Sequence, residues 1–427
     1  MEETFLIHGD LLWSDEDRNL EMLEDGYLLV EEGKCAGVFP DFPETFSDLP
    51  LEDHAHCLVL PGMTDLHTHA SQYGIRGLGL DEELLVWLKK YTFPEEVRFS
   101  DLSYAKRMYT AFTEDLLHGW TTRAVIFATL HTESTLLLMD MLEKSGLVTY
   151  VGRVNMNRDG GENLCESDAE TALHNTEEWL ECCKGRYKNT TPIITPRFIP
   201  SCTDDLMTGL SEIAEKNGLR LQSHLSENPG EIELVRKLVP ASASYGAAYE
   251  DFGSLLSPEI PAVMAHCVYS DEAEEALLMK HGTYIAHCPG SNMNIASGIA
   301  PAARFLRDGT HIGLGTDIGG GSTLALPVTM KEAMQSSCLY WRLVDRNVKP
   351  LSFAETFYMA TLGGGSYFGK VGSFLKGYEA DAVVIDDTDT RNGQALSLLE
   401  RLERSVYTPS ACRVSAKYVR GQRLNLS

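Results

Sequence analysis

The sequence has little positive charge and no long apolar segment, and both deficits exclude classes of partner. Its 36 Lys and Arg residues are outnumbered by 62 Asp and Glu residues, which gives a net charge of −26. A surface this acidic repels the phosphate backbone of nucleic acids and anionic membranes. No apolar run approaches the roughly 18 residues that span a bilayer, and the first residues carry acids where a signal peptide needs bases. We therefore expect neither nucleic acid nor a membrane as a partner.

Paired-cysteine motifs are also missing. The ten cysteines include no Cys-x-x-Cys, and the only close pair, Cys182 and Cys183, is adjacent in the chain. In a chain of 427 residues this pattern is typical of reduced thiols and predicts a cytoplasmic protein. The lack of Pro-Cys-x-x-Cys excludes the cytidine-deaminase type of zinc site. The glycines 319–321 lack the Lys and Ser/Thr of a P-loop.

What is present is a regular alternation of apolar strands with amphipathic helices. Strands are predicted over 57–67, 121–129, 148–156, 192–198, 220–224, 262–266, 283–287 and 312–317. Helices are predicted over 101–118, 133–145, 167–184, 203–217, 229–238, 271–281, 301–307, 325–343 and 352–361. Eight strands, each followed by a helix, favour an α/β fold with a closed (β/α)8 TIM-like barrel.

Both ends of the chain predict β structure outside this barrel. Strand-like segments separated by turn residues cover 5–8, 26–30, 35–39, 380–386, 412–419 and 422–424. We expect them to join into one small β-sandwich domain. The predicted organisation is 1–60 and 370–427 for the β domain and 61–369 for the barrel, with residues 70–100 forming a loop that caps a site.

Polar residues stand at the carboxyl ends of several barrel strands, where barrel active sites lie. The first strand ends in His67 and His69, which share a face because side chains alternate with period two. Strands five, six and eight end in His224, His266 and Asp317. One such histidine is more often a structural core residue, but this set is hard to explain as core filling. It predicts a shell for zinc or iron(II) with one position left for water.

Two further residues suit chemistry at that shell. Glu227 lies three residues after His224, where it could act as a general base on a water that the metal activates. It could equally be a first-turn glutamate that the helix dipole favours. Strand four offers Arg197, a rigid fork for a planar acceptor pair, although pairing with a barrel carboxylate would explain it too. The same strand has no lysine to bridge two metals, which favours a single metal.

The motifs together resemble the amidohydrolase superfamily over nearly the whole chain. They are Pro61-Gly62, Asp65-x-His67-x-His69, His224-x-x-Glu227, His266, His287-Cys-Pro-x-Ser-Asn292, Gly315-Thr-Asp317 and Gly377-x-x-Ala380-Asp381. More specific stretches are similar to the members of that superfamily that deaminate guanine. These stretches are His69-Ala-Ser-Gln-Tyr73, Lys90-Tyr-Thr-Phe-Pro94, Thr195-Pro-Arg-Phe198 and His224-Leu-Ser-Glu-Asn228.

The resemblance implies a zinc hydrolase, with Fe²⁺ as the alternative metal, that converts guanine and water to xanthine and ammonia in purine catabolism or salvage. One metal per subunit would be held by His67, His69, His224, His266 and Asp317. Glu227, Asp317 and His266 would be catalytic, and Gln72, Arg197, Phe198 and His224 would bind the substrate. Related enzymes imply a homodimer.

Two alternatives stay open at this point. A related deaminase acting on 8-oxoguanine, a pterin or a triazine would share the metal shell and differ in residues such as Gln72 and Arg197. A non-catalytic scaffold with this fold would usually have lost ligands or the base, whereas here the five ligands and Glu227 are all present.

Overall fold

The computed structural model describes residues 4–161, 163–253 and 255–426. The outermost ends of the predicted β domain, residues 1–3 and 427, lie outside this range, and the domain boundaries at 60/61 and 369/370 remain predictions. The strands are β1 (Phe5–Ser14), β2 (Leu20–Glu31), β3 (Lys34–Phe39), β4 (Leu51–Pro61), β5 (Met63–His69), β6 (Thr121–Phe127), β7 (Val148–Gly152), β8 (Val154–Asn155), β9 (Thr190–Pro192), β10 (Thr195–Pro196), β11 (Leu221–Leu225), β12 (Ala262–His266), β13 (Tyr284–His287), β14 (Ile312–Leu314), β15 (Ala382–Asp386), β16 (Arg413–Val419) and β17 (Gln422–Arg423).

Eight parallel strands form the barrel, in the order β11-β12-β13-β14-β5-β6-β7-β9. The two ends of this order meet through a parallel bridge between Ile194 and Leu221, where the Ile194 amide donates to the carbonyl of Arg220. The sheet is therefore closed, as predicted. Its interior is filled by small and branched side chains such as Leu66, Val125 and Val263, which form an apolar layer inside the strands.

Seven strands from both ends of the chain form one continuous sheet, in the order β17-β16-β15-β4-β1-β2-β3, while β8 and β10 pair only with each other. β15 pairs antiparallel with β4, with Ala382 opposite Pro61. The prediction of a β domain built from both termini beside the barrel is confirmed. The strands hydrogen-bond as a single sheet rather than as the two sheets of the predicted sandwich. This sheet has its own apolar core, which includes Ile7, Val59 and Val384.

Helices follow the barrel strands close to the predicted positions. They are α1 (Leu84–Trp87), α2 (Phe93–Val97), α3 (Leu102–His118), α4 (Thr132–Ser145), α5 (Ala169–Cys183), α6 (Asp204–Asn217), α7 (Pro229–Leu238), α8 (Tyr245–Asp251), α9 (Glu272–Lys280), α10 (Pro289–Asn294), α11 (Ala302–Asp308), α12 (Leu326–Leu343), α13 (Phe353–Tyr358), α14 (Thr388–Arg391) and α15 (Leu398–Tyr407). None of the helices in the described part of the chain is long and apolar enough to cross a membrane.

The first predicted strand, 57–67, is in fact two strands of two different sheets. β4 ends at Pro61 and β5 begins at Met63. Gly62 between them packs so closely on Thr122 that a Cβ there would lie 2.1 Å from the threonine Oγ1. The sequence did not reveal this change of sheet, because a buried strand has the same continuous apolar pattern in either sheet.

The segment predicted as a capping loop carries short helices instead of irregular chain. A 3-10 helix covers Ala70–Ile75, and α1 continues through a π-helical turn at Leu88–Thr92 into α2. Apolar side chains of this segment, among them Ile75 and Trp87, are buried against Phe127 and Phe198. The segment therefore lies over the carboxyl ends of the barrel strands.

Candidate active site

The polar residues predicted at the strand ends come together in one buried cluster at the mouth of the barrel. His67 and His69 are the last residues of β5 on one face, His224 lies near the end of β11, and His266 ends β12. Asp317 follows β14 in a left-handed backbone conformation, with φ of +47°. All five side chains are less than a tenth exposed.

The donor atoms of this cluster crowd around one point. The Nε2 atoms of His67 and His69 are 3.1 Å apart, and those of His69 and His224 are 3.2 Å apart. Asp317 Oδ1 lies 3.2 Å from His67 Nε2 and 3.3 Å from His69 Nε2. His266 Nε2 lies 3.8 Å from Asp317 Oδ2. Two imidazole nitrogens so close cannot both carry protons without repulsion, so the arrangement calls for a shared cation.

The spacing fits a divalent transition metal. Tetrahedral bonds of 2.0–2.1 Å would hold ligand atoms about 3.3 Å from each other, close to the observed separations. The described residues contain two overlapping groups whose donor atoms lie within 4.8 Å of one another, namely His67, His69 and His224, and His67, His266 and Asp317. Imidazole nitrogen with one carboxylate oxygen is a donor set that suits zinc or iron(II).

Hydrogen bonds behind the imidazoles orient them. His224 Nδ1 lies 2.6 Å from the Arg197 carbonyl oxygen, and His266 Nδ1 lies 2.8 Å from Asn292 Oδ1. Since both partners accept, each Nδ1 must donate, which leaves the Nε2 lone pair free to bind a metal. The His266 backbone is left-handed, with φ of +77°, a conformation that non-glycine residues rarely adopt outside functional sites.

Burial and crowding shift the ionisation of the cluster. Burial raises the pKa of Asp317, but hydrogen bonds from His67 and His69 outweigh it and hold that pKa well below its usual range. Burial lowers the pKa of His69 to about 3. Burial also lowers the pKa values of His67 and His224. These three imidazoles are therefore neutral and the aspartate is ionised at neutral pH, which are the protonation states that metal ligation requires.

Glu227 lies beside the cluster but outside the two groups of donor atoms described above. Its Oε2 is 3.3 Å from His266 Nε2, and its Oε1 accepts a hydrogen bond of 3.0 Å from Ser297 Oγ. Burial and the charge of Asp317 raise the pKa of Glu227 to about 8, against a smaller lowering by Ser297. A cation in the cluster would lower that pKa. A carboxyl group poised near neutrality can both take up and release a proton.

A small cavity opens onto the cluster. Gln72 and Arg197 contribute its polar wall, and Phe198 lies on the same side with its ring centroid 6.2 Å from that of His224. The apolar walls are Leu84, Trp87, Leu88 and Ile295. The capping segment thus supplies much of the lining, and the cavity suits a flat, partly polar ring.

Several residues of the site escaped the sequence analysis. Glu96 is buried behind Gln72 and Arg197 and accepts from both. Ser297 holds the candidate base, and Trp87 forms a wall of the cavity. The only sequence signal was the aromatic content of the capping segment, which is compatible with a wall but does not say which ring faces the cavity.

Comparison with known proteins places these features in context. The Amidohydrolase family matches residues 58–424. Guanine deaminase of Dictyostelium discoideum is 34% identical over 98% of this chain and 98% of its own length. The probable guanine deaminase of Schizosaccharomyces pombe is 40% identical over 77% of this chain, but the match covers only 63% of that relative.

A solved structure agrees over the whole chain. Guanine deaminase from C. acetobutylicum with guanine bound in its active site superposes with a TM-score of 0.95 at 41% identity, covering 99% of this chain and 100% of that one. Guanine deaminase of E. coli superposes with a TM-score of 0.86 at 29% identity. The barrel and the added β domain therefore have counterparts of known structure.

Proposed function

This chain belongs to the amidohydrolase family, and we propose that it hydrolyses guanine to xanthine and ammonia. The observation that carries this proposal is a buried cavity in which a histidine–aspartate cluster faces an arginine and a glutamine. The relatives named above are guanine deaminases, which supports guanine as the substrate. The cavity contains hydrogen-bonding side chains that match guanine. The reaction is a hydrolysis of a carbon–nitrogen bond in a cyclic amidine.

We propose one Zn²⁺ per subunit, with Fe²⁺ as the alternative, held by His67, His69, His224, His266 and Asp317. Such a cation lowers the pKa of water toward neutrality and thereby supplies a nucleophile at physiological pH. The neutral imidazoles of His67, His69 and His224 and the ionised aspartate support this assignment, because metal binding displaces no protons from them.

Proton transfer falls to the two carboxyl groups. Water adds to C2 of guanine, while Glu227 takes a proton from that water and delivers it to the ring nitrogen N3. Asp317, ionised at neutral pH, accepts the second proton and passes it to the departing amine, so ammonia leaves as a neutral molecule. The contact between Glu227 and His266 keeps the carboxyl beside the reacting atoms.

Orientation of the purine falls to the polar wall. Arg197 donates one N–H to Glu96. Its other N–H groups face O6 and N7 of guanine, which are both acceptors. Adenine presents an amine donor at that edge, so the arginine would be left unpaired at a cost of about 1–3 kcal/mol. Gln72 can donate and accept at the reacting edge, and Phe198, together with Trp87, packs on the ring.

The test is turnover of guanine by the purified protein, followed by ultraviolet absorbance with ammonia measured in parallel. We expect one ammonia for each guanine consumed, and complete loss of turnover after treatment with a chelator, restored by Zn²⁺. A zinc-loaded sample that leaves guanine unchanged would contradict the substrate. The same assay on 8-oxoguanine, pterins and triazines would then identify which alternative amino-heterocycle is hydrolysed.

We further propose a cytoplasmic homodimer. The ten free cysteines support a reducing compartment, and similarity to related enzymes supports the dimer. Light scattering on the eluting peak of a size-exclusion column would give the mass directly, and a monomer mass at micromolar concentration would contradict the dimer.

A further inference from the structure

Glu96, on α2 of the capping segment, is a buried carboxylate that joins the two side chains of the polar wall. Its Oε1 accepts a hydrogen bond of 3.0 Å from Gln72 Nε2, and its Oε2 accepts one of 2.7 Å from Arg197 Nη1. Its exposed fraction is 1%, against 2% for Gln72 and 3% for Arg197. A carboxylate in this position acts on the ligand only through its two partners.

The contact with Glu96 fixes which way the Gln72 amide points. A carboxylate only accepts, so the NH2 group of Gln72 must face Glu96. On its other side Gln72 packs on Gly319, where a Cβ would lie 2.2 Å from Gln72 Oε1. Gly319 also has φ of +110°, which favours glycine. Because Gln72 is held between Glu96 and Gly319, its amide cannot turn over. The positions of its oxygen and of its one remaining N–H towards a ligand are therefore fixed.

The same contact sets the charge of the wall. Arg197 is buried, with its guanidinium carbon 5.1 Å from the Phe93 ring centroid, and Glu96 is the ion-pair partner found for it among the described residues. A buried arginine without its carboxylate would present a full positive charge to the cavity, where poor screening makes it strongly attractive to anions. With Glu96 the wall is close to neutral.

We propose that Glu96 is a positioning residue that fixes the hydrogen-bond order of Gln72 and neutralises Arg197, so that the cavity prefers a neutral purine to a purine anion. The inference rests on the proposed function, since guanine is neutral at physiological pH whereas its product xanthine loses a proton more readily. A neutral wall would therefore favour binding of the substrate and release of the product.

The neighbouring Glu95 provides a matched control. It is on the same helix and 4% exposed, and it is also held by two partners, accepting from Tyr104 Oη and, at 2.9 Å, from Arg98 Nη1. Neither partner lines the cavity. Glu95→Gln therefore reports the cost of neutralising a buried carboxylate on α2 without touching the polar wall.

The experiment compares wild type, Glu96→Gln and Glu95→Gln in guanine turnover and in inhibition by xanthine, at pH values on either side of the pKa of xanthine. For Glu96→Gln we expect KM for guanine to rise about tenfold or more, as for the loss of a charged hydrogen bond, with a smaller change in kcat. We also expect xanthine to inhibit this variant more strongly as the pH rises. Glu95→Gln should follow wild type in both measurements.

The outcomes separate the inference from the function on which it rests. Wild type that does not deaminate guanine refutes the proposed function, and this inference falls with it. Wild type that is active, with Glu96→Gln matching Glu95→Gln in KM and in the pH dependence of xanthine inhibition, refutes the inference alone. If Glu96→Gln does not fold, Glu96→Asp serves in its place. It keeps the charge but shortens the reach, so KM should rise while xanthine inhibition keeps the wild-type pH dependence, and an unchanged KM would refute the inference.

Discussion

The two ends of the barrel bury charge in opposite ways. At the amino-terminal end of β6, Arg123 makes a two-pronged ion pair with Asp381, through Nε to Oδ2 at 2.8 Å and Nη2 to Oδ1 at 3.0 Å, and also pairs with Glu379. Arg123 and Asp381 are each at most 1% exposed. Here Arg123 and Asp381 each have a partner of opposite charge, and the pair joins the barrel to the β domain.

At the carboxyl-terminal end, similar groups crowd one another instead. Three imidazoles lie within 3.8 Å of one aspartate, a fourth lies against His69, and a second carboxyl, Glu227, lies against His266. Burial and neighbours push the pKa values of Glu227 and Asp317 in opposite directions. A buried charge that is paired with an opposite charge contributes to the stability of the fold. Buried groups whose pKa values are shifted apart are typical of sites that transfer protons. The following predictions test that contrast.

The largest effect is expected from Glu227→Gln at the mouth. The variant keeps the shape of the side chain but cannot carry a proton between water and substrate, so kcat should fall by about 10²–10⁴-fold. Metal content should be unchanged, because Glu227 lies outside the donor groups. Steady-state kinetics with atomic emission analysis of the metal would check this. A variant that loses its metal, or that keeps kcat within about tenfold, would contradict the assigned role.

At the opposite end, Arg123→Met should act on stability alone. It leaves Asp381 buried without its partner, which costs about 3–5 kcal/mol of unfolding free energy. The value of kcat for the folded protein should stay at the wild-type level. Urea denaturation and kinetics on the same sample would measure both quantities. The double variant Arg123→Met/Asp381→Asn should recover part of the lost unfolding free energy. A large fall in kcat for Arg123→Met would contradict the contrast between the two ends of the barrel.

A smaller effect at the mouth is expected from Ser297→Ala. The hydroxyl donates to Glu227 Oε1 at 3.0 Å, and losing a hydrogen bond of about 1 kcal/mol should reduce kcat less than tenfold. Ser336→Ala is a suitable control, since Ser336 is also buried but donates to the Ala333 carbonyl within α12. Equal kcat values for the two variants would show that Ser297 does not support the base.

A pH-dependent effect on stability concerns Lys417, which is buried under the barrel and donates to the carbonyls of Leu116 and Thr121 at 3.2 and 2.8 Å. Burial lowers its pKa to about 7, whereas a lysine in an unfolded chain has a pKa of about 10.4. Between these values the unfolded state binds more protons, so native stability should rise with pH.

Lys417→Met should therefore flatten the rise in unfolding free energy from about pH 7 to about pH 9. The exposed Lys216→Met, whose side chain is 71% exposed, is the control and should leave the slope unchanged. Urea denaturation at both pH values measures it, and parallel slopes for wild type and Lys417→Met would mean that the buried amine stays protonated.

The strand-end residues could be predicted because the topology brings them together. Once eight βα units are recognised, the carboxyl ends of parallel strands must share one face, so His67, His224 and Asp317 must lie close. Helix bounds followed from apolar periodicity. The clustering of these residues therefore needed no knowledge of side-chain contacts.

Contacts between distant segments could not be predicted in this way. Glu95 and Glu96 have the same side chain on neighbouring positions, and only the packing of α2 decides which one reaches Arg197, about a hundred positions further along the chain. α15 was also missed, although its cap at Ser397 with Glu400 is a local signal, because the flanking segments indicated strands.

The pairing of β4 with β15 ties the catalytic centre to the order in which the chain is made. All eight barrel strands lie between β4 and β15 in the chain, so one edge of β4 stays unpaired while they are synthesised and is open to aggregation or to a chaperone. β5, with His67 and His69, follows β4 after Gly62. The sheet that leads into these two histidines is therefore completed only after all eight barrel strands have been synthesised.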